Sequence, residues 1–384
     1  MKKILMVRAL KGYPDSRLEK EAFSLSRKYD VTVLGWNRDE NYRGVKRTYH
    51  ECFGKKIKYL HIGEKAPVGL GFRKLLIPEL KYWRKLYTCL KKIVTHYDAV
   101  HACDFDTGYV VSKAIKGCDV KFVYDIFDYY AESKVGPKPI LNTIKKLENR
   151  VISKSDLTII CSEKRKEQIR QAKYKKLFVV HNTPMKIDNE SSDGVRILSE
   201  RPKLVYIGTL SKDRYLEEMA SVIIKRQDIE WHVGGWGVLS RFFNELSEKY
   251  DNIKFYGEVT YEEALRIESE CDIMTALYDP SVENHKYAAP NKFYESLMLG
   301  KPLIMMKNTG MDDYISGLDI GEVIDCEPEQ WAIAFDNALD SVLNKKSEWK
   351  SIKEKSQKLY RDEFSWEKME MRLLNNYNDL LESK

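Results

Sequence analysis

The feature that most constrains this chain is an alternation of short, almost unbroken apolar runs with amphipathic stretches. It begins at the N-terminus and begins again past residue 200. In the first half the runs are 3–7, 31–35, 58–61, 99–101, 121–124, 157–160 and 177–180, and Leu18, Ala22 and Leu25 recur at helical spacing between the first two. Strands that are apolar on both faces, each followed by a helix, belong in a parallel sheet covered on both sides. A polar break, Asn182-Thr183-Pro184 and then Asp188 to Gly194, reads as an interdomain linker. The pattern resumes with 204–208, 229–235, 253–257, 272–276 and 302–305, and three of these five runs end in glycine ahead of a helix. Such an end leaves backbone N–H groups to meet a phosphate. The expected fold is α/β, with two doubly wound Rossmann-like domains facing each other across a cleft and ligands at the carboxyl ends of the strands.

Composition narrows the class. A chain of 384 residues suits two domains, and 43% hydrophobic with 32% charged residues excludes disorder. The net charge of +7 hides an asymmetry: residues 1–185 carry 39 Lys/Arg against 20 Asp/Glu, hence +19, and residues 186–384 carry 26 against 38, hence −12. A basic half points to a polyanion or an anionic membrane, or simply to two domains of different surface charge. No run reaches the roughly 18 apolar residues of a spanning helix, and Arg8 ends the apolar start after four residues. The seven cysteines are odd in number and form no Cys-x-x-Cys pair, so reduced thiols in a cytoplasmic protein are expected, without a disulfide framework or a structural zinc.

The loop after the first strand holds one glycine, Gly12, where a dinucleotide fingerprint needs three. Phosphate chemistry points instead to Ala289 through Pro302. Pro290 can open a helix there, and Asn291 and Lys292 then fall in its first turn, where amide groups and the helix dipole attract an anion. Glu295 lies one turn further on the same face, where a carboxylate can accept from a ribose diol. The same spacing serves an ordinary capped helix with a Lys–Glu pair.

These residues resemble the donor-binding helix of the retaining GT-B glycosyltransferases, family 4 in particular, in which Pro-x-Lys-x-x-Glu and a Gly-x-Pro exit grip a sugar nucleotide. Gly208-Thr209-Leu210 through Arg214 is similar to the family's pyrophosphate loop, Gly234 and Gly235 to its central glycine turn, and Gly257 to Val259 to the segment framing the base. Asp15-Ser16-Arg17 with Glu21, the run from Val100 through His101 to Asp104, and Tyr124 to Asp128 resemble acceptor-side motifs. Trp366 onward resembles the helix that returns to the first domain. The resemblance implies an N-terminal acceptor-binding domain (1–183 with 365–384) and a C-terminal nucleotide-sugar donor domain (184–364). It implies a metal-independent, retaining hexosyl transfer from a nucleotide-diphosphate sugar, UDP-sugar favoured, with no cofactor. The acceptor would be a glycan or lipid-linked saccharide in cell-surface polysaccharide synthesis.

In this reading Arg214, Lys292, Asp125 and Asp128 are catalytic. Gly208, Thr209, Gly234, Gly235, Gly257, Val259, Asn291, Glu295 and Glu283 join Arg214 and Lys292 on the donor, and Gly12, Arg17, His101 and Asp104 meet the acceptor. The family's loop arginine is replaced by Thr209, its lysine by Arg214, its glutamate eight residues before Glu295 by Tyr287, and its site histidine by Phe127. Glu283 is the substitute expected for the missing glutamate, and Asp125 or Asp128 for the histidine, although both aspartates also suit helix caps. His101 is equally at home as a satisfied buried polar group.

From Phe72 to Lys92 the chain carries seven Lys/Arg, one acid and interleaved aromatics. Such a helix can lie on an anionic leaflet, with Lys81, Arg84, Lys85 and Trp83 at headgroup depth, or pack with a solvated basic face. A peripheral position on the inner face of the membrane follows from the first option. No nucleic-acid module is present. Two other classes fit the same fold, a nucleotide-sugar epimerase and a catalytically silent partner protein.

Overall fold

The computed structural model describes residues 1–66, 72–134, 136–186, 197 and 199–382, and for 72–75 the backbone alone. The chain divides into two compact units, residues 1–181 with 367–384, and 182–366. The expected linker segment from Asp188 to Gly194 lies outside the described residues.

In the first unit the order is β1 (Lys3–Arg8), α1 (Ser16–Ser26), β2 (Asp30–Asn37), β3 (Val45–Cys52), β4 (Lys55–Gly63), α2 (Phe72–Ile93), β5 (Ala99–Cys103), α3 (Phe105–Ala114), β6 (Lys121–Ile126), α4 (Lys138–Lys154), β7 (Leu157–Ile160), α5 (Arg165–Gln168) and β8 (Leu177–Val179). The sheet order is β3-β4-β2-β1-β5-β6-β7-β8. All pairs are parallel except β3–β4. β3 departs from the expected all-parallel sheet and had no apolar run to reveal it. It is an edge strand, exposed along most of its length and bearing Lys46, Arg47 and Glu51, which is how natural sheets blunt an edge. Leu5 and Val7 turn to a core shared with Leu86 and Leu90 of α2, Val111 of α3 and Ile152 of α4, while Ile4 and Met6 are equally buried. Both faces of the central strands are covered.

In the second unit the order is β9 (Lys203–Thr209), α6 (Leu216–Ile223), β10 (Glu230–Trp236), α7 (Ser240–Lys249), β11 (Ile253–Phe255), α8 (Tyr261–Glu270), β12 (Ile273–Ala276), α9 (Asn291–Leu299), β13 (Leu303–Met306), α10 (Asp312–Leu318), β14 (Gly321–Ile324), α11 (Trp331–Asn344) and α12 (Trp349–Leu359). The sheet is parallel throughout, ordered β11-β10-β9-β12-β13-β14. Along β9, Leu204 and Tyr206 face one core, and Val205 and Ile207 face the other. α8 opens with a reciprocal capping box between Thr260 and Glu263. α13 (Trp366–Glu382) packs in the first unit, where Tyr377 is fully buried. This is the fold class expected from the strand pattern: α/β, with two Rossmann-like sheets.

Candidate active site

In the second unit the carboxyl ends of β9 and β10 run side by side, with Gly235 paired to Gly208 and Trp236 to Thr209. Gly235 has φ +128°, and a Cβ there would fall 1.8 Å from the Gly208 carbonyl oxygen, so only glycine lets the two backbones meet. Its N–H donates to the Gly257 carbonyl at 2.7 Å, so this glycine serves the sheet and its amide is not held open for a phosphate. Gly234 is also a packing glycine, with a Cβ position 2.8 Å from Ile207 Cδ1 and 3.6 Å from Val259 Cγ2. Gly257, at φ +67°, has open space around it, and Thr209 is exposed.

Pro290 is the cap of α9 and Asn291 its first residue, one position later than a proline-first helix would give. Asn291 Oδ1 accepts from Asn182 Nδ2 at 2.8 Å. The helix ends at Gly300 in the left-handed conformation, φ +69°. Lys292 is buried and folds back toward β9. A Cβ added to Gly208 would lie 3.4 Å from its Nζ, which stands 5.1 Å over the Tyr206 ring and 3.8 Å from Glu268 Oε1. Glu268 of α8 was not foreseen. Burial, and after it the charge of Glu295, push its carboxyl well above the usual carboxylate range against the pull of Lys292. Glu295 is 4% exposed and receives the Tyr261 hydroxyl. The site thus sets a lysine charge beside a carboxyl that burial favours in its neutral form.

Arg214 stands in a short turn after β9. Its Nη1 donates to Asp213 Oδ2 at 3.0 Å and lies 3.0 Å from His285 Nε2, while its guanidinium stacks on Tyr278 at 3.8 Å. Glu283 is exposed and paired with Lys286 at 2.8 Å, on the same short turn as His285. Nothing in the spacing from Glu295 pointed to His285, which lies ten residues before that glutamate.

In the first unit Arg17, His101 and Asp125 come together, but inward. Asp125 and His101 are 0% exposed and Arg17 3%, because Asp125 and His101 lie within β6 and β5 rather than beyond their ends. Arg17 Nη2 donates to Asp125 Oδ1 at 2.7 Å and Nη1 to the Val180 carbonyl at 3.0 Å, with Glu21 Oε1 3.2 Å from Nε. His101 Nδ1 meets the Tyr377 hydroxyl at 2.7 Å, and its Nε2 lies 3.4 Å from Asp125 and 3.6 Å from Glu21. Burial works to raise the Asp125 carboxyl, and the charge of Arg17 holds it below its ordinary value; Glu21, buried beside it, is pushed well above. The expectation that Arg17, His101 and Asp125 touch substrate directly is corrected: they form a sealed polar network, with Arg17 as the cation among Glu21, His101 and Asp125. The Arg17–Glu21 spacing of four was the available signal for the partner.

Asp128 lies past the end of β6, exposed, and accepts from Arg165 Nη2 at 3.1 Å. Asp104 has φ +65°, rare outside glycine; its Oδ1 accepts from the Phe127 and Asp128 amides at 2.9 and 3.2 Å, and its Oδ2 pairs with Arg8. Phe127, in the slot expected for a histidine, sits 4.3 Å from the Arg8 and 4.7 Å from the Arg17 guanidinium. Gly12, at φ +75°, is packed against Leu18 and Val33, with no room for a side chain.

α2 splits the four expected surface residues. Trp83 packs on Phe105 and Tyr109, at 6.2 and 5.5 Å, and Lys85 Nζ is bound to Glu64 at 2.8 Å and to the Gly63 carbonyl at 2.6 Å. Trp83 is thereby corrected to a packing role, while Lys85, its side chain 33% exposed, is tied at its ammonium to the first unit. Lys81 and Arg84 are exposed, beside Leu76, Ile77 and Leu80. Among the described residues no helix is long and apolar enough to cross a membrane.

No protein-family model matches the chain, and no curated protein matches it. Solved structures do. Sucrose-phosphate synthase from Thermosynechococcus elongatus superposes with a TM-score of 0.76 at 14% identity, over 100% of both chains. Anabaena Alr3699/HepE in complex with UDP gives 0.67 at 13%, over 99% of this chain and 100% of that one. A UDP-forming α,α-trehalose-phosphate synthase from Burkholderia xenovorans gives 0.69 at 10%, over 100% and 99%. The fold is that of the GT-B glycosyltransferases.

Proposed function

We propose that this protein is a retaining glycosyltransferase of family 4 type, moving a sugar from a nucleotide-diphosphate sugar, UDP-sugar by preference, to a glycan or lipid-linked acceptor. The observation that carries the reading is Lys292, buried in the first turn of α9 and directed at the glycine end of β9. Lys292, the N-terminus of α9 and Arg214 are the groups that would take the diphosphate in this reading, and solved chains of this fold are in complex with UDP and UDP-glucose. As the bond to the sugar breaks, charge builds on the departing diphosphate, and preformed cations stabilise it without reorganising. Glu295 accepts from the ribose. The leaving phosphate takes the proton of the attacking acceptor hydroxyl, so neither a metal nor a protein nucleophile enters the scheme. Cell-surface polysaccharide synthesis is the setting, with the outward residues of α2 on an anionic leaflet.

The test is a panel of UDP-, GDP- and ADP-sugars incubated with and without saccharide acceptors, read by nucleotide release and by the anomeric configuration of the product. Acceptor-dependent release with retained configuration is expected. Conversion of the sugar nucleotide without acceptor identifies an epimerase, and no turnover with any donor overturns the enzyme reading.

A further inference from the structure

Three atoms beside the expected diphosphate position form a closed triangle. Arg214 Nη1 is 3.0 Å from Asp213 Oδ2 and 3.0 Å from His285 Nε2, and Nε2 is 3.3 Å from that same Oδ2. The proton positions follow from the fourth neighbour. His285 Nδ1 lies 2.7 Å from the Asp279 carbonyl oxygen, which can only accept, so Nδ1 carries the hydrogen. In the neutral imidazole Nε2 is then an acceptor, and the two hydrogens of Nη1 serve Nε2 and Oδ2. Every atom is satisfied, but the charge of Arg214 is cancelled by Asp213.

One added proton changes the partners. An N–H at Nε2 faces Asp213 Oδ2 as a donor and no longer accepts from Arg214. The trio goes from neutral to a net single positive charge. Of the other groups around it, Tyr278 lies edge-on to the imidazole at 5.2 Å, Tyr206 gives its hydroxyl to the Thr209 carbonyl at 2.7 Å, and the Asp279 carboxylate accepts from the Ser281 amide at 2.8 Å. Ser211 donates to the other oxygen of Asp213, and Glu283 and Lys286, on the same turn as His285, are paired with each other. His285 is 7% exposed, so little water shields the exchange.

We infer that a nucleoside diphosphate arriving at Arg214 draws a proton from solvent onto His285 Nε2, which takes Asp213 as its partner and releases the Arg214 guanidinium to the ligand. The inference rests on the assignment of the diphosphate to Arg214 made above. Its physical basis is that an anion placed beside a titratable nitrogen favours the protonated form, so binding and protonation strengthen each other. His285 is in this sense a positioning residue: it acts on the ligand through the counter-ion of Arg214.

The experiment is isothermal titration calorimetry of the full chain with UDP, or with GDP or ADP where either binds tighter. It is run at one mildly alkaline pH in two buffers of different ionisation enthalpy. Wild type should take up as much as one proton more than His285→Gln, whose amide occupies the Nε2 position without titrating; the difference removes the ligand's own phosphate ionisation. Across the imidazole titration, wild-type Kd should tighten by up to about tenfold per unit fall in pH relative to the variant. Asp213→Asn, which removes the counter-charge of Arg214, should bind tighter than wild type at alkaline pH. Equal proton uptake in wild type and His285→Gln, or weaker binding by Asp213→Asn, overturns the inference. If Arg214→Ala binds like wild type, the diphosphate assignment itself fails, and binding by none of the three diphosphates overturns both.

Discussion

Both sheets gather charge near the carboxyl ends of their central strands, and they settle it in opposite ways. In the first unit Arg17 gives its donors to Asp125 and to the Val180 carbonyl, with Glu21 alongside, and the whole set is closed from solvent. In the second, Lys292 faces Glu268, a carboxyl that burial and Glu295 drive toward its neutral form. The first arrangement cancels its cation internally. The second sets its lysine against a carboxyl that burial pushes the other way. The two cations thus differ in the partner they meet at close range: Arg17 holds Asp125 below its ordinary value, whereas burial keeps Glu268 above it against the pull of Lys292.

The sharpest way to break this contrast is Asp125→Ala. Removing one partner of a buried pair strands the other, which costs about 3–5 kcal/mol. The thermal transition of the first unit should fall by roughly 10 °C. A variant of unchanged stability that loses turnover would make the cluster catalytic machinery, and the contrast would collapse. Next in size is Lys292→Ala, expected to lose about 2–4 kcal/mol of transition-state stabilisation, or roughly 30- to 1,000-fold in kcat/KM, with its melting temperature little changed. Near wild-type kcat/KM on the true donor would mean that Lys292 only pairs with its neighbours.

A third prediction extends the comparison to pH. Glu148 of α4, fully buried, accepts from the Tyr124 hydroxyl at 2.9 Å, and burial raises its carboxyl to about 8. The folded state therefore holds a proton that the unfolded chain releases near pH 4–5. That contribution is complete below the unfolded value and is lost as pH rises toward 8, a decline of roughly 2–4 kcal/mol between pH 5 and pH 8. Glu148→Gln keeps the acceptor oxygen without the ionisation. It should match wild type at pH 5 and exceed it at pH 8 in denaturant unfolding; parallel pH curves for the two would show that Glu148 is ionised in the fold.

What was legible in the sequence was whatever the backbone imposes. The apolar runs gave both sheets, and the helix from Asn291 with its glycine stop lies where its residues placed it. Strands without an apolar signature, β3 and β14, escaped, because an edge strand with mixed side chains has no period to read. Residues whose meaning lies in a distant partner escaped as well. Glu268 and His285 become informative only when the fold sets them against Lys292 and Arg214. Asp125 and His101 were each singled out, for different roles, but one strand position decides whether a side chain ends in the core or at the ligand face. The glycine at 235 was found for the wrong reason, since strand contact fixes it and not a free amide.

The smallest expected effect separates the two faces of α2. Arg84 is exposed, whereas Trp83, next in sequence, packs against Phe105 and Tyr109. If the outward face rests on an anionic leaflet, each basic residue there contributes about 1 kcal/mol, falling as salt screens it. Arg84→Ala should then weaken partitioning onto phosphatidylserine vesicles about fivefold at low salt and hardly at all at high salt. Trp83→Ala should leave partitioning unchanged while lowering the melting temperature, because it opens a gap in the core of the first unit. Co-sedimentation with anionic and with neutral vesicles measures both. Equal pelleting of wild type on the two lipids removes the charge argument, and a stronger loss for Trp83→Ala than for Arg84→Ala would mean that the tryptophan leaves its packed position at the membrane.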